Sequence, residues 1–315
     1  MSKRVTNSIA PRNGLRRQRR DRADVIFYTL LMILPVLQLL IFYFGVNFQS
    51  ICMAFQKYDA KNNQFIWDIS QNLEKFQLDI SGSGFWHMLG NSLVVWVCTS
   101  LSGTVLALIF AYYIYRQHWA SNFFKFVLFL PSVLPGILLA VMYKKFVGVG
   151  IPAYVNYLFD TTIGDVFNMG ANGGRINLIT LFTVWVSFGP QVLVYTGAMD
   201  RVDGSMLEAG KLDGVTSLQE FFKIIFPNIS GTVSTFLIMG VATIFTSQNS
   251  IVSFLGFSDV NQRESTMGYY LYKLVYQDSA RKSGFCYAAF LGLICTLIVI
   301  PLAFGARKIF DRSED

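Results

Sequence analysis

The sequence predicts an all-α integral membrane protein with six transmembrane helices. Three observations carry that reading. Hydrophobic residues make up 53% of the 315-residue chain and charged residues only 14%, against about 45–50% and about 25% in ordinary globular proteins. This length would allow roughly two soluble domains, but so little charge does not cover a soluble surface, and the mean hydropathy is +0.44. The second observation is a set of six long stretches almost free of charge. The third is a basic block, Arg16, Arg17, Arg19, Arg20 and Arg22, set directly before the first of them. With 29 Phe, 15 Tyr and 5 Trp the chain has ample apolar surface to bury, which excludes general disorder and leaves it only at the ends.

About 20 apolar residues cross a bilayer as a helix, and each central Asp, Lys or Arg costs about 2.5–3.5 kcal/mol. The stretches that meet this requirement run from Val25 to Val46, Ser92 to Tyr115, Phe126 to Tyr143, Ile176 to Met199, Gly231 to Phe245 and Phe285 to Phe304. The fifth is short, weakened by Ser234, Thr235 and Thr243 and followed by Ser247, Gln248 and Asn249. It is needed because its omission reverses the sidedness of the segments around it. The first exceeds a signal-peptide core and has no small-residue cleavage site, so it is expected to remain as an anchor.

A basic cluster beside an apolar run holds that flank in the cytoplasm, a better account of the arginines than nucleic-acid binding. An even number of spans then returns Arg307, Lys308 and Arg312 to the same side. The predicted order is a basic cytoplasmic tail (1–24), a first span (25–46), an external loop (47–91), a five-helix core (92–304) and a cytoplasmic C-terminal tail (305–315). The core contains a cytoplasmic loop over 203–230. External connections also fall at 144–175 and 246–284. Trp67, Phe76, Phe85 and Trp86 suggest amphipathic pieces on the membrane surface, and Trp86, Trp96 and Trp119 read as interfacial anchors.

Several functions lose support through missing chemistry. No ionisable side chain falls inside the predicted spans, whereas ion-coupled carriers keep such groups as relays. His87 and His118 have no partners at metal spacing, and Cys52, Cys98, Cys286 and Cys295 show neither C-x-x-C spacing nor a paired framework. No activated nucleophile motif is visible, so a membrane-embedded enzyme is disfavoured. There is no G-x-x-x-x-G-K-[ST] phosphate loop, so uphill transport would draw its energy from another polypeptide. The loop after the fourth span is where such a partner would dock.

In that loop Ser205-Met206-Leu207-Glu208 fits a capping box, and Gly214 suits the left-handed residue that closes a helix. Thr216-x-x-Gln219 and Ser217-x-x-Glu220 both fit a second box. Leu218, Phe221, Phe222 and Ile225 then share a face, and Pro227 is expected to end that helix. Helices this short need partners to stay folded.

These residues resemble a known pattern. Glu208-Ala209-Gly210, Asp213-Gly214, Ile224 and Phe226-Pro227 are similar to the Glu-Ala-Ala loop of permease subunits of binding-protein-dependent ABC importers: Glu-Ala-Ala, three residues, Gly, nine residues, Ile, one residue, Leu-Pro. Gly210, Val215 and Phe226 depart from it, and Gly210 should loosen the helix by up to about 1 kcal/mol relative to Ala. Asn91-Ser92, Leu130-Pro131, Pro135 and Trp185 extend the resemblance to the maltose-type, first-subunit permeases for carbohydrates, over about residues 85–310.

The resemblance implies a type I ABC importer permease fold in the plasma membrane of a prokaryote. Residues 205–227 would act as the coupling element. The implied partners are a second permease subunit as heterodimer, two ATPase subunits that use ATP and Mg, an extracytoplasmic solute-binding protein and lipid, with no nucleic acid and no cofactor on this chain. The cargo would be a sugar, oligosaccharide or polysaccharide; a non-sugar solute such as glycerol phosphate, or a stand-alone facilitator, is the alternative. In this family the substrate path comes mainly from the spans flanking the loop, which points to Ser187, Phe188, Gln191 and Tyr195 in the fourth span, then Thr243, Ser247 and Asn249 after the fifth. Positions 188, 191 and 195 share a helical face.

Overall fold

The computed structural model describes residues 22–169, 174–247, 250–256, 262–277 and 282–311. Arg16, Arg17, Arg19, Arg20, Arg312 and Asn249 lie outside the described residues. The chain divides into two units, 1–50 and 51–315.

Helix α1 (Ile26–Ala54) begins near the predicted point but continues eight residues further. Its apolar side chains from Ile26 to Phe48 are exposed, as expected of a helix whose solvent is lipid rather than water. The second unit continues with an antiparallel hairpin, β1 (Gln56–Asp59) and β2 (Gln64–Trp67). It rests on α2 (Ser70–Ser81) through the buried Asn72, whose amide donates to the carbonyls of Ala54 and Gln56 at 3.0 and 3.1 Å. The second span, α3 (Ser83–Tyr115), therefore starts nine residues before the predicted Ser92. The extra turns place Phe85 and Met88 in the core.

The predicted third span, Phe126 to Tyr143, is not one helix. It is divided between α4 (Ser121–Val133) and α5 (Gly136–Phe159). Leu134 is extended (ψ 148°), because the residue before a proline is pushed out of helical geometry by the ring of Pro135. Pro131, inside α4, leaves the helix intact. As a consequence Lys144 and Lys145 fall within α5, which corrects the expectation of spans free of ionisable side chains. Lys144 Nζ lies 5.2 Å from the centroid of the Phe167 ring, a contact that compensates a partly buried ammonium.

The fourth span, α6 (Gly174–Met199), matches the prediction to within two residues at its start and at its end. It crosses α4 so closely that a Cβ added at Gly189 would lie 2.1 Å from the Leu128 carbonyl oxygen. Only glycine permits that approach. The loop helix α7 (Gly204–Leu212) leads into α8 (Ser217–Ala242), followed by α9 (Ile251–Leu255), α10 (Met267–Gln277) and α11 (Ser283–Asp311).

Helix α8 corrects a second expectation, because it does not stop at Pro227. The turns Phe221–Ile225 are wound in the wider π form, which suits a proline that cannot donate to the preceding turn. The second loop helix and the fifth span are consequently one rod, and its far end is Ala242 rather than Phe245. Any force applied at Ser217 is applied to the fifth span itself.

Candidate functional site

In the loop between α6 and α8, both ends of α7 and the start of α8 are capped. Asp203, not Ser205, caps α7, its carboxylate accepting from Ser205 N–H at 3.0 Å. An anion is favoured at the positive end of a helix, and this hydrogen bond holds the Asp203 carboxyl below its usual range. The predicted Ser205–Glu208 box is not the cap in use, and Glu208 and Ala209 are exposed on α7.

At the other end Gly214 has φ +73°. Val215 N–H donates to Gly210 O at 3.0 Å, and Gly214 N–H to Lys211 O at 3.2 Å. This is a Schellman closure. Of the two candidate boxes for α8, Thr216 and Gln219 form theirs. Gly210 is buried, and a Cβ on it would lie 2.8 Å from Ile224 Cδ1. The missing methyl therefore allows α7 to sit against α8, an effect opposite in sign to the expected loosening of α7.

Glu220 is buried, at 6% exposure, and serves another purpose than the alternative box. Arg116, capping the C-terminal end of α3, donates through Nη1 to both Glu220 oxygens at 3.0 and 2.8 Å. Its Nη2 reaches Ser217 Oγ at 3.3 Å, and Tyr112 Oη donates to Ser217 O at 2.8 Å. Together these form a clasp between the second span and the start of α8. Ile225 is buried at 0% and Phe221 is half-buried, whereas Leu218 (71%) and Phe222 (63%) face outward with Leu212 (90%). The four predicted residues thus divide between two faces. The clasp directs one inward and leaves an apolar rim outside.

A cavity of about 340 Å³ lies among α3, α6 and α8. Thr183, Ser187 and Gln191 line it from α6, and Thr243 and Ser247 from beyond the end of α8. Phe188 and Tyr195 do not. Phe188 stacks on Phe110 at 5.9 Å and Tyr195 meets Phe236 edge-on at 5.4 Å, both buried in the core. The α6 residues that reach the cavity are spaced i, i+4 at 183, 187 and 191; Tyr195 continues that stripe but packs in the core, as does Phe188.

The opposite wall, Ser92, Trp96, Ser100 and Thr104 of α3, has the same four-residue spacing. That spacing of polar residues in an apolar run was the available signal. Trp96 is therefore in the cavity wall, whereas Trp86 and Trp119 are exposed. Helix α8 adds Phe236, Met239 and Gly240, and a Cβ at Gly240 would lie 2.8 Å from Ser100 Oγ. Among the described residues, no Asp, Glu, Lys, Arg or His lines this space. Among the described residues there is no grouping of three His, Cys, Asp or Glu able to hold a metal ion.

Among the described residues, six helices are long and apolar enough to cross a membrane, as in a multi-pass membrane protein, and the capped loop is clasped to the second of them. The chain belongs to the family of binding-protein-dependent transport system inner membrane components, whose profile matches residues 103–314. It is 22% identical over 91% of its length to 96% of the multiple sugar-binding transport system permease protein MsmF of Streptococcus mutans. It is also 22% identical, over 78% of its length and 88% of the relative's, to the sn-glycerol-3-phosphate transport system permease protein UgpA of Pectobacterium atrosepticum. A chain in the crystal structure of a bacterial ABC transporter involved in the import of the acidic polysaccharide alginate shares the fold: TM-score 0.75, 16% identity, 92% of this chain and 96% of that one.

Proposed function

We propose that this chain is the permease subunit of an ATP-driven importer for a sugar, oligosaccharide or polysaccharide. It forms half of the translocation pore beside a second permease subunit. Two ATPase subunits dock on residues 205–227 and consume ATP with Mg, and an extracytoplasmic binding protein delivers the cargo. It resides in the plasma membrane of a prokaryote with both termini in the cytoplasm. The single observation behind this reading is the loop: Glu208, Ala209, Leu212 and Leu218 are exposed, while Gly210, Gly214, Ile224 and the clasp fix the backbone beneath them. Asp213 closes α7 as its last cap, and Pro227 lies in the continuous rod that carries displacement into the fifth span. The substrate path is the cavity, with Ser187, Gln191, Thr243 and Ser247 in its wall. The glycerol-phosphate permease among the relatives favours a second reading, a phosphorylated cargo, which an uncharged wall serves poorly.

An ATPase on this loop requires the loop to face the cytoplasm. In a variant lacking its four native cysteines, an impermeant thiol reagent applied to intact cells should modify a cysteine at Gln71 and leave one at Ser217 unmodified. Modification at Ser217 in sealed cells would place the loop outside and end the docking role.

A further inference from the structure

We propose that Arg175 and Glu264 are positioning residues that fasten a strap, residues 262–268, across the outer end of the cavity, and that their ion pair is a latch able to open. The inference rests on the permease reading and goes beyond it, because it concerns the cover of the path rather than its coupling or its cargo.

The strap is a turn of 3-10 helix (Gln262–Glu264), then Ser265 and Thr266 without regular structure, then the start of α10. Glu264, Ser265, Thr266 and Met267 are all buried, and Thr266 lines the cavity together with Ser92. Irregular backbone at membrane depth is tolerated only where protein or a cavity surrounds it, and its polar groups then need partners from elsewhere.

Helix α3 supplies them. The Asn91 side-chain amide donates to the carbonyls of Arg263 and Ser265 at 2.9 and 3.0 Å. The neighbouring Ser92 hydroxyl accepts from Met267 N–H at 2.8 Å and itself donates to Met88 O. Asn91-Ser92 is thus a fastener rather than part of the path's chemistry. On the other side a Cβ added at Gly268 would lie 2.1 Å from the Ser247 carbonyl oxygen, so the strap also rests on the turn that follows α8.

The remaining anchorage is charged. Arg175, the second residue of α6, donates through Nε to Glu264 Oε1 at 3.2 Å, and its Nη2 lies 3.1 Å from Oε2. This two-point fork fixes direction as well as distance. Glu264 is 1% exposed and Arg175 23%, so the guanidinium is the partner that still meets solvent. An apolar plug would gain its whole burial on closing and would resist opening. For a buried ion pair the cost of drying two charges roughly cancels their attraction, so the pair sets where the strap sits while adding little to the closed state. Opening returns both charges to water together. Losing one partner acts differently, because a lone buried carboxylate can regain water only if the strap lifts.

The test reads the strap in the assembled transporter. In the variant without native cysteines, a cysteine at Thr183 in the cavity wall is treated with a small impermeant methanethiosulfonate reagent outside intact cells. Modification rates are compared at equal amounts of complex. Glu264→Gln should raise the rate by roughly tenfold, in proportion to the share of molecules with the strap lifted, and Arg175→Ala should raise it further because it strands the carboxylate. Acceleration seen only in inside-out vesicles would overturn the sidedness behind the permease reading and leave the latch standing. Unchanged rates from either side in both variants would overturn the latch. If a variant fails to assemble, Arg175→Cys with Glu264→Cys, joined by a reducible crosslinker, decides. Uptake should cease on crosslinking and return on reduction, whereas uptake that persists through crosslinking would overturn the proposal.

Discussion

Glu220→Ala is expected to separate ATP hydrolysis from solute uptake. The carboxylate is buried and both of its oxygens are held by Arg116 Nη1. Removing it leaves a guanidinium, itself only 29% exposed, without its counter-charge. Loss of one partner from a buried pair costs about 3–5 kcal/mol, and the exposed share of Arg116 reduces this to about 2–3 kcal/mol. That loss falls on the junction between α3 and the first turn of α8 rather than on the membrane core. The complex should therefore assemble in normal amount, with ATP hydrolysed per solute imported rising by about an order of magnitude or more. Arg116→Ala should do the same, and Glu220→Gln, which keeps an acceptor, should lie between. A purely structural role would lower the amount of complex and leave the ratio unchanged, and an unchanged ratio in Glu220→Ala would refute the clasp as a transmitting contact.

Gly214→Pro should abolish uptake. Proline holds φ near −65°, whereas Gly214 stands at +73°, and proline also lacks the N–H that donates to Lys211 O. The closure of α7 would be lost, and with it the seating of Gly210 against Ile224. Gly214→Ala, which tolerates the left-handed region at about 1–2 kcal/mol, should retain partial uptake. Glu208→Lys tests the surface rather than the backbone. Glu208 is exposed at the middle of α7, so its reversal leaves the fold intact and acts only where another subunit meets it. Loss of uptake in Gly214→Pro and Glu208→Lys, with both proteins present in the membrane, is the expected result; full uptake by Glu208→Lys would exclude Glu208 from any docking contact.

What the sequence made legible depended on how local each determinant is. The fourth span was readable because Ile176 to Met199 is a run without a charged residue, and Gly214 because a helix followed by glycine has few other solutions. The break at Leu134–Pro135 was missed because Pro131, four residues earlier, is tolerated in α4 and hides the effect of the second proline. Pro227 misled in the opposite direction, since the π-wound turn before it is invisible in composition. Asp203 was passed over for Ser205 because two capping residues stood two positions apart, and only the backbone geometry chose between them. Phe188 and Tyr195 were placed on the substrate path as aromatic residues of a span to which the resemblance points, on one face with Gln191, yet that spacing equally describes a core face. Where along one stripe a cavity gives way to core is decided by the helix packed opposite. Trp96 and the polar positions at four-residue intervals in α3 were legible in principle, but an isolated tryptophan near a span end reads first as an anchor.

The central claim is that this chain transports only as part of an ATP-driven assembly. Affinity purification of the tagged chain from mild detergent, with identification of every co-purifying subunit and reconstitution into liposomes, tests it directly. The account predicts a second permease and an ATPase in the complex, and sugar accumulation against a gradient only when ATP is supplied on the side of residues 205–227. A chain that purifies alone and equilibrates solute without ATP would contradict it.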